Sequence, residues 1–143
     1  MLFTVLVISI MLTIALGISD ITYKQSILSS TALDSQLAFY QADSGVECGM
    51  YYDVTQGQFP RGTTVDNAPN QLVCGNNTVS KDLTQSSTDY LVYTEDSTAS
   101  NQACYSITFD KTTDPVKNTV SSRGYSTCGV SAQQVERGLS VTY

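Results

Sequence analysis

The first 19 residues form one uninterrupted apolar run, and this run constrains the fold more than any other feature of the chain. It contains no charged side chain, and the first acid in the sequence is Asp20. As an α-helix, 19 residues rise about 28 Å, which is close to the hydrocarbon thickness of a bilayer. We therefore expect this segment to be a helix that is buried in a membrane or against apolar partners.

The apolar run lacks the basic residues that usually precede such a segment. The first cation is Lys24, whereas a secretory signal begins with a basic region and an anchor has basic residues on its cytoplasmic side. We expect Met1 to be a processed end, left when a basic leader was removed. An uncleaved anchor is the alternative.

The helical pattern continues beyond the apolar run. Residues 21–52 contain no proline and only two glycines, and apolar or small residues recur at spacings of three and four, as in an amphipathic helix. Two strips result: Leu33, Leu37, Tyr40 and Ser44 on one, and Phe39, Ala42, Val46 and Met50 on the other. We predict one helix over about residues 1–52, hydrophobic over 1–24 and amphipathic over 25–53.

Turn and strand signals alternate over residues 54–143. Gly and Pro residues at 57–62 and the sequence Gly75-Asn76-Asn77 indicate turns. Strand-like runs lie at 72–74, 90–93, 104–109, 119–125 and 134–143. In the last run, alternation predicts a half-buried strand with Val135, Leu139, Val141 and Tyr143 on its apolar face, interrupted by Arg137. The predicted fold is α+β, a long helix packed on a small antiparallel sheet.

The four cysteines predict two disulfides. They are Cys48, Cys74, Cys104 and Cys128, with no C-x-x-C motif, and an even number in an exported domain favours disulfides over metal binding. Of the three possible pairings we favour Cys48–Cys74 and Cys104–Cys128. Cys104 and Cys128 are nearly equally distant from the turn at Pro115, so they would face each other across a hairpin.

The composition argues against catalysis and against nucleic-acid binding. The chain has no His and no Trp, which removes His-based metal sites and the commonest general base. Its net charge of −6 opposes a non-specific grip on nucleic acid. We expect no enzymatic activity, no catalytic or metal-binding residue, no cofactor and no stable nucleic-acid partner. Lys111, Lys117 and Arg123 are at most a weak basic patch.

Two further features of the sequence are candidate sites. Ser9, Thr13 and Gly17 lie four residues apart, so they share one helix face, where small residues let membrane helices approach closely. Asn76 belongs to the one N-x-[ST] sequon, which lies on a turn signal and is a candidate glycosylation site.

The segment QLAFYQADSGVECGMYYD at residues 36–53 follows the uncharged helix and leads into a Cys-containing β region. In this arrangement the chain resembles type IV pilins and pilin-like proteins, and residues 38–45 are similar to the helix of minor pilins and pseudopilins. The resemblance covers residues 1–53 in detail and the rest only in architecture. It implies a leader removed by a prepilin peptidase, insertion in the inner (cytoplasmic) membrane, and extraction by the pilus assembly machinery into a helical filament.

Two positions depart from the pattern of that family. Val5 stands where a glutamate is usual, and Thr22 where a helix-breaking proline is usual. Either Met1 is not the mature end, or apolar packing sets the register, or the chain is a divergent or minor subunit. Because glycine costs about 1 kcal/mol relative to alanine in a helix, Gly17 is the expected weak point. We expect the helix to stretch around residues 15–22 in the assembled state.

The sequence thus predicts a structural subunit of a type IV pilus-like filament at the cell surface, with a role in attachment, motility or uptake. Its partner would be copies of itself, joined through an assembly helix. The residues of that helix are Met1, Phe3, Leu6, Ser9, Ile10, Thr13, Ile14 and Gly17. Two alternatives remain: a pseudopilin or minor tip subunit of a secretion or DNA-uptake machine, and a non-polymerising single-pass membrane protein that binds a ligand.

Overall fold

The computed structural model of the chain describes residues 1–60, 63–87, 90–95, 102–111, 118–129 and 134–143. It confirms the α+β fold, with a long N-terminal helix and an antiparallel sheet. Helix α1 spans Leu2–Met50 and continues into a π-helical turn, Tyr51–Thr55. The strands are β1 (Gln71–Cys74), β2 (Asn77–Lys81), β3 (Tyr90–Glu95), β4 (Cys104–Asp110), β5 (Thr119–Tyr125) and β6 (Glu136–Thr142).

The chain divides into two compact units, Met1–Leu33 and Asp34–Tyr143. The first unit consists of helix alone. The second contains the remainder of α1, the π-helical turn and the whole sheet. The hydrophobic core described below belongs entirely to the second unit.

The six strands form a meander in which every strand pairs with the next one in the chain. The order is β1-β2-β3-β4-β5-β6, and all five pairings are antiparallel. The sequence predicted five of these strands and missed β2. Only Val79 of its five residues is buried, so its apolar signal was weak. The turn signal before β2 is confirmed, since Cys74 pairs with Asn77 and Gly75 adopts a left-handed φ of 63°.

The core lies between the sheet and the second half of α1. Its centre is aromatic: the rings of Phe59 and Phe109 stack at 4.1 Å, and Tyr93 meets both edge-on at 5.7–5.8 Å. Around them lie the buried side chains of Leu72, Val79, Leu91, Tyr105, Ile107 and Val120. Burial of such side chains contributes about 1.5–3 kcal/mol each to folding.

The helix buries small residues against the sheet rather than the large ones predicted. Its buried residues are Ala38, Ala42, Gly45, Val46 and Gly49. Of the two predicted strips, Leu33, Leu37, Tyr40, Ser44 and Phe39 are exposed, whereas Ala42 and Val46 are buried and Met50 is half-buried. The period was predicted correctly, but the buried face was wrong for the larger side chains.

Close approach of backbone explains why small residues form this face. A Cβ atom on Gly45 would lie 2.1 Å from the hydroxyl oxygen of Ser122. On the sheet side, a Cβ atom on Gly124 would lie 2.0 Å from the carbonyl oxygen of Ala38 and 2.4 Å from the amide nitrogen of Ala42. Real Cβ atoms do not approach other atoms so closely, so larger side chains are excluded from this contact.

Strand β6 is less buried than its alternation predicted. Val135 and Leu139 are half-buried, but Val141 and Tyr143 remain 37% and 41% exposed. The reason is position: β6 is an edge strand of the described sheet and has a partner on one side only. Arg137, which interrupts the apolar face, donates a hydrogen bond from Nε to the Ser35 hydroxyl on the helix at 2.9 Å.

Two disulfides fasten the second unit, with the pairing that the sequence favoured. Cys48–Cys74 joins the helix to β1, and Cys104–Cys128 joins the start of β4 to the segment after β5. The Tyr52 hydroxyl adds a contact at the edge of the sheet. It donates to the Val73 carbonyl at 3.2 Å and accepts from the Val73 amide at 3.1 Å. The end of the helix is therefore held to β1 by both covalent and hydrogen bonds.

Candidate assembly surface

The apolar segment of the N-terminal unit is exposed at nearly every residue. All eight residues predicted to form the assembly helix are exposed, including the large side chains of Phe3, Leu6 and Ile10. Among the described residues, one helix is long and apolar enough to cross a membrane, and its most apolar window has no buried residue. This surface therefore requires lipid or protein to cover it.

The hydroxyl groups within this surface are satisfied by the helix itself. The Ser9 hydroxyl donates to the Leu6 carbonyl at 2.8 Å, and the Thr13 hydroxyl donates to the Ile10 carbonyl at 2.8 Å. A hydroxyl without a partner is costly to bury in an apolar phase, but a hydroxyl that bonds its own helix avoids that cost. The Ser9–Thr13–Gly17 face is therefore compatible with an apolar environment.

Gly17 is in open space in the described structure. Outside the neighbouring helix backbone, no atom of the described residues lies within 4 Å of a Cβ atom built at this position, unlike those at Gly45 and Gly124. The helix is also continuous through this residue. The expected stretching of residues 15–22 concerns the assembled state, so it stays a prediction.

An ion pair lies on the helix surface just beyond the apolar run. Lys24 Nζ lies 2.9 Å from Asp20 Oδ2, one helical turn earlier, and both side chains are mostly exposed. The acid precedes the base, which is the favoured order on a helix. Charged groups are thus confined to the part of the helix beyond residue 19.

A buried ion pair links the helix end to the sheet and replaces the predicted basic patch. Lys111 Nζ contacts Asp53 Oδ2, with the two side chains only 3% and 5% exposed. Lys111 is therefore withdrawn from the surface, and Lys117 lies outside the described residues. Arg123 is exposed and faces Glu136 at 3.5 Å. Lys111 and Arg123 do not form a shared basic surface.

Two carboxyl groups near the sheet have shifted pKa values. Hydrogen bonds from the side chain and backbone of Thr84 lower the pKa of Asp82. Burial raises the pKa of Glu95, only partly offset by a hydrogen bond from the Tyr105 backbone, and Glu95 Oε2 is buried with no partner in the described structure. Burial, with a smaller contribution from Glu95, raises the pKa of Tyr105 to about 12.

The candidate glycosylation site lies on the surface, and the predictions on metal binding and on charge can be compared with the structure. Asn76 is exposed in the turn between β1 and β2, so glycosylation at this residue stays a prediction. Across the described ranges, no group of His, Cys, Asp and Glu side chains is placed to hold a metal ion. No local sequence pattern predicted the Asp53–Lys111 pair, since the two residues are 58 positions apart.

Comparison with known proteins gives no relative for this chain. No protein-family model matches it, and neither a curated protein nor a solved structure shows significant similarity to it.

Proposed function

We propose that this chain is the structural subunit of a type IV pilus-like extracellular filament, which polymerises through its N-terminal helix. One observation carries the proposal. The eight predicted assembly residues of the uncharged segment are exposed, and the same helix ends in a part that is packed and disulfide-bonded onto a β-sheet. An exposed apolar helical segment followed in the chain by a folded domain is expected of a subunit that inserts in a membrane and later polymerises.

The exposed apolar area supplies a driving force for self-association. Burial of apolar surface contributes about 25 cal/mol per Å², so a few hundred Å² per helix gives several kcal/mol before the costs of association. Lipid covers the same surface before assembly. The inner membrane would then hold the subunit until the assembly machinery extracts it.

The small-residue face supports self-packing over a solitary membrane anchor. Ser9, Thr13 and Gly17 are small residues on one side of the helix, and the hydroxyls of Ser9 and Thr13 donate to carbonyls of their own helix. Such faces bring apolar helices into close contact in lipid. A solitary membrane anchor does not require a face of small residues.

The experiment that tests this proposal uses cells that produce the chain. Surface appendages are sheared off, sedimented and examined by electron microscopy and mass spectrometry, beside a strain in which the gene is deleted. We expect filaments that contain the chain as their main protein and that are absent from the deletion strain. Recovery of the chain only from the membrane fraction, with the appendages unchanged, would contradict the proposal. Filaments that contain only traces of it at one end would indicate a minor tip subunit instead.

A further inference from the structure

The sheet face that points away from the helix contains a cavity of about 370 Å³. On β5, Ser122 and Gly124 lie against the helix. Because side chains alternate along a strand, Ser121 and Arg123 point to the opposite face, where they line the cavity. The volume is within the range of about 300–1,000 Å³ that is usual for ligand pockets.

Residues 82–87, which follow β2, contribute Gln85 to the cavity lining. The Asp82 amide donates to the Val92 carbonyl at 2.8 Å, and the Val92 amide donates to the Ser86 hydroxyl at 2.9 Å. Asp82 Oδ1 also accepts from the Gln85 amide at 3.3 Å. This segment is thus fastened to β3, with Gln85 on the rim and Val92, only 6% exposed, as an apolar patch of the floor.

The rest of the lining offers hydroxyl groups that have no hydrogen-bond partner among the described residues. The hydroxyls of Ser106, Thr108 and Ser121 form no side-chain hydrogen bond within the described part of the chain. Thr108 and Ser121 are direct neighbours across β4 and β5, and Ser106 is opposite Arg123. Each hydroxyl can both donate and accept, so the floor is a row of adaptable polar groups.

The charge of the described lining is balanced. Among the described lining residues, Arg123 is the one with a charged side chain, and Arg123 Nη1 is 3.5 Å from Glu136 Oε1 on the adjacent strand. The guanidinium group keeps further N–H donors for a ligand. A ligand without net charge therefore suits this site better than an acid or a cation.

Tyrosines stand at the two ends of the cavity. Tyr90 is opposite Asp110, at one end of β4, and Tyr125 is opposite Cys104, at the other. Six residues of an antiparallel strand span about 20 Å, so the lining is elongated. Tyr90 is 44% exposed, so it is available for contact with a ligand.

We infer that this cavity binds a neutral oligosaccharide of two or three hexopyranose units. Such a ligand has many hydroxyls, no charge, an extended shape and apolar ring faces. Its hydroxyls would bond to the row of Ser and Thr hydroxyls, and its lack of charge suits the balanced charge of the lining. Its length fits the elongated lining, and its ring faces would stack on the terminal tyrosines. The inference does not depend on polymerisation, because all the residues that it uses belong to one copy of the second unit.

Binding is tested by titration calorimetry on the full chain in an alkylphosphocholine detergent. Maltoside and glucoside detergents are avoided because they carry the class of ligand under test. The probes are cellotriose, maltotriose and mannotriose, with trigalacturonic acid as the acidic counterpart. We expect at least one neutral trisaccharide to bind with a Kd of ~1 mM or tighter, and to bind more tightly than the acidic one.

Two variants connect that binding to the cavity. Tyr90→Ala removes a ring at the rim and is expected to weaken binding by about threefold to tenfold. Ser121→Tyr fills the cavity from its floor and is expected to abolish binding. Tyr40→Ala removes an exposed tyrosine on the helix and is the matched control, expected to leave the Kd unchanged. Circular dichroism verifies that all three remain folded.

Three results would overturn the inference. The first is that no neutral trisaccharide binds in the millimolar range. The second is that the Kd is the same in the wild-type chain and in both cavity variants, which places binding elsewhere. The third is that trigalacturonic acid binds more tightly than the neutral probes, which contradicts the neutral character of the ligand.

Discussion

At the scale of single residues, the Asp53–Lys111 ion pair gives the clearest prediction of stability. Both side chains are almost completely buried, so each charge is stabilised by the other and not by water. Lys111→Met leaves the Asp53 carboxylate buried and alone, and we expect a loss of about 3–5 kcal/mol in the free energy of unfolding. The double variant Asp53→Leu/Lys111→Met removes both charges and is expected to recover most of this loss. Urea unfolding of the full chain in detergent measures both values.

The matched control for that experiment is the exposed ion pair of Arg123 and Glu136. Its charges stay in water, with side chains 67% and 48% exposed. Arg123→Met is therefore expected to change stability by less than about 1 kcal/mol. Equal losses in Lys111→Met and Arg123→Met would show that burial does not set the value of the Asp53–Lys111 pair.

The raised pKa of Glu95 predicts that the stability of the fold depends on pH. Burial raises its pKa in the folded state, so between the ordinary value of 4.5 and the raised value the folded chain binds more protons than the unfolded chain. Stability contributed by this group is therefore full below pH 4.5 and is lost as the pH rises through the folded pKa. We expect Glu95→Gln to be more stable than the wild-type chain at neutral pH, by a margin that shrinks toward pH 4.5.

Asp82 is the control, because its pKa is shifted in the opposite direction to that of Glu95. Hydrogen bonds lower its pKa from 3.8, so its contribution is present above that pH and is lost as the pH falls through the lowered pKa. Asp82→Asn is expected to be less stable than the wild-type chain at neutral pH. If the stability of Glu95→Gln followed the wild-type pH profile, the buried position of Glu95 would have no energetic consequence.

At the scale of secondary-structure elements, the contact between helix and sheet depends on Gly124. A methyl group there would overlap the backbone of Ala38 and Ala42, and backbone moves less easily than a side chain. We expect Gly124→Ala to lower the free energy of unfolding by about 1–3 kcal/mol. Gly138 is the control on the neighbouring strand, where the nearest atom to an added Cβ is 3.8 Å away. Gly138→Ala should stay within about 0.5 kcal/mol of the wild-type chain. Equal losses in both variants would contradict the close approach at Gly124.

The same contact shows what the sequence could and could not reveal about these elements. The helix, five strands and the disulfide pairs follow from local signals: apolar period, alternation, turn residues and cysteine spacing. The buried helix face does not, because it depends on how near the sheet approaches. Leu37 and Ala42 are equally apolar in a periodicity argument, yet only the small residue fits at this distance. Burial of Lys111 likewise depends on a partner 58 residues away.

At the scale of the whole molecule, filament assembly is proposed to use one face of the N-terminal helix. Gly17→Leu places a large side chain on the Ser9–Thr13–Gly17 face, whereas Ala15→Leu places the same side chain about 200° around the helix. Both changes raise apolarity, so membrane insertion should survive in each. We expect Gly17→Leu to reduce the sheared-filament yield by at least about tenfold and Ala15→Leu to have a much smaller effect.

The variant Gly17→Ala separates the effect of side-chain size at residue 17 from the effect of helix flexibility there. Apart from the neighbouring helix backbone, no described atom lies within 4 Å of the added methyl group, and alanine stabilises a helix by about 1 kcal/mol relative to glycine. If the helix must stretch around residues 15–22 on assembly, this variant should insert normally and assemble less well. Equal filament yields for all three variants would leave the small-residue face without a role.

The most direct measurement of the central claim is a cryo-electron microscopy reconstruction of appendages sheared from cells that produce the chain. The account predicts a helical polymer whose axis consists of residues 1–19 from many copies in mutual contact, with the disulfide-bonded sheet domains outside. A reconstruction made of another protein, with this chain found singly in the membrane and its first helix surrounded by lipid alone, would contradict it.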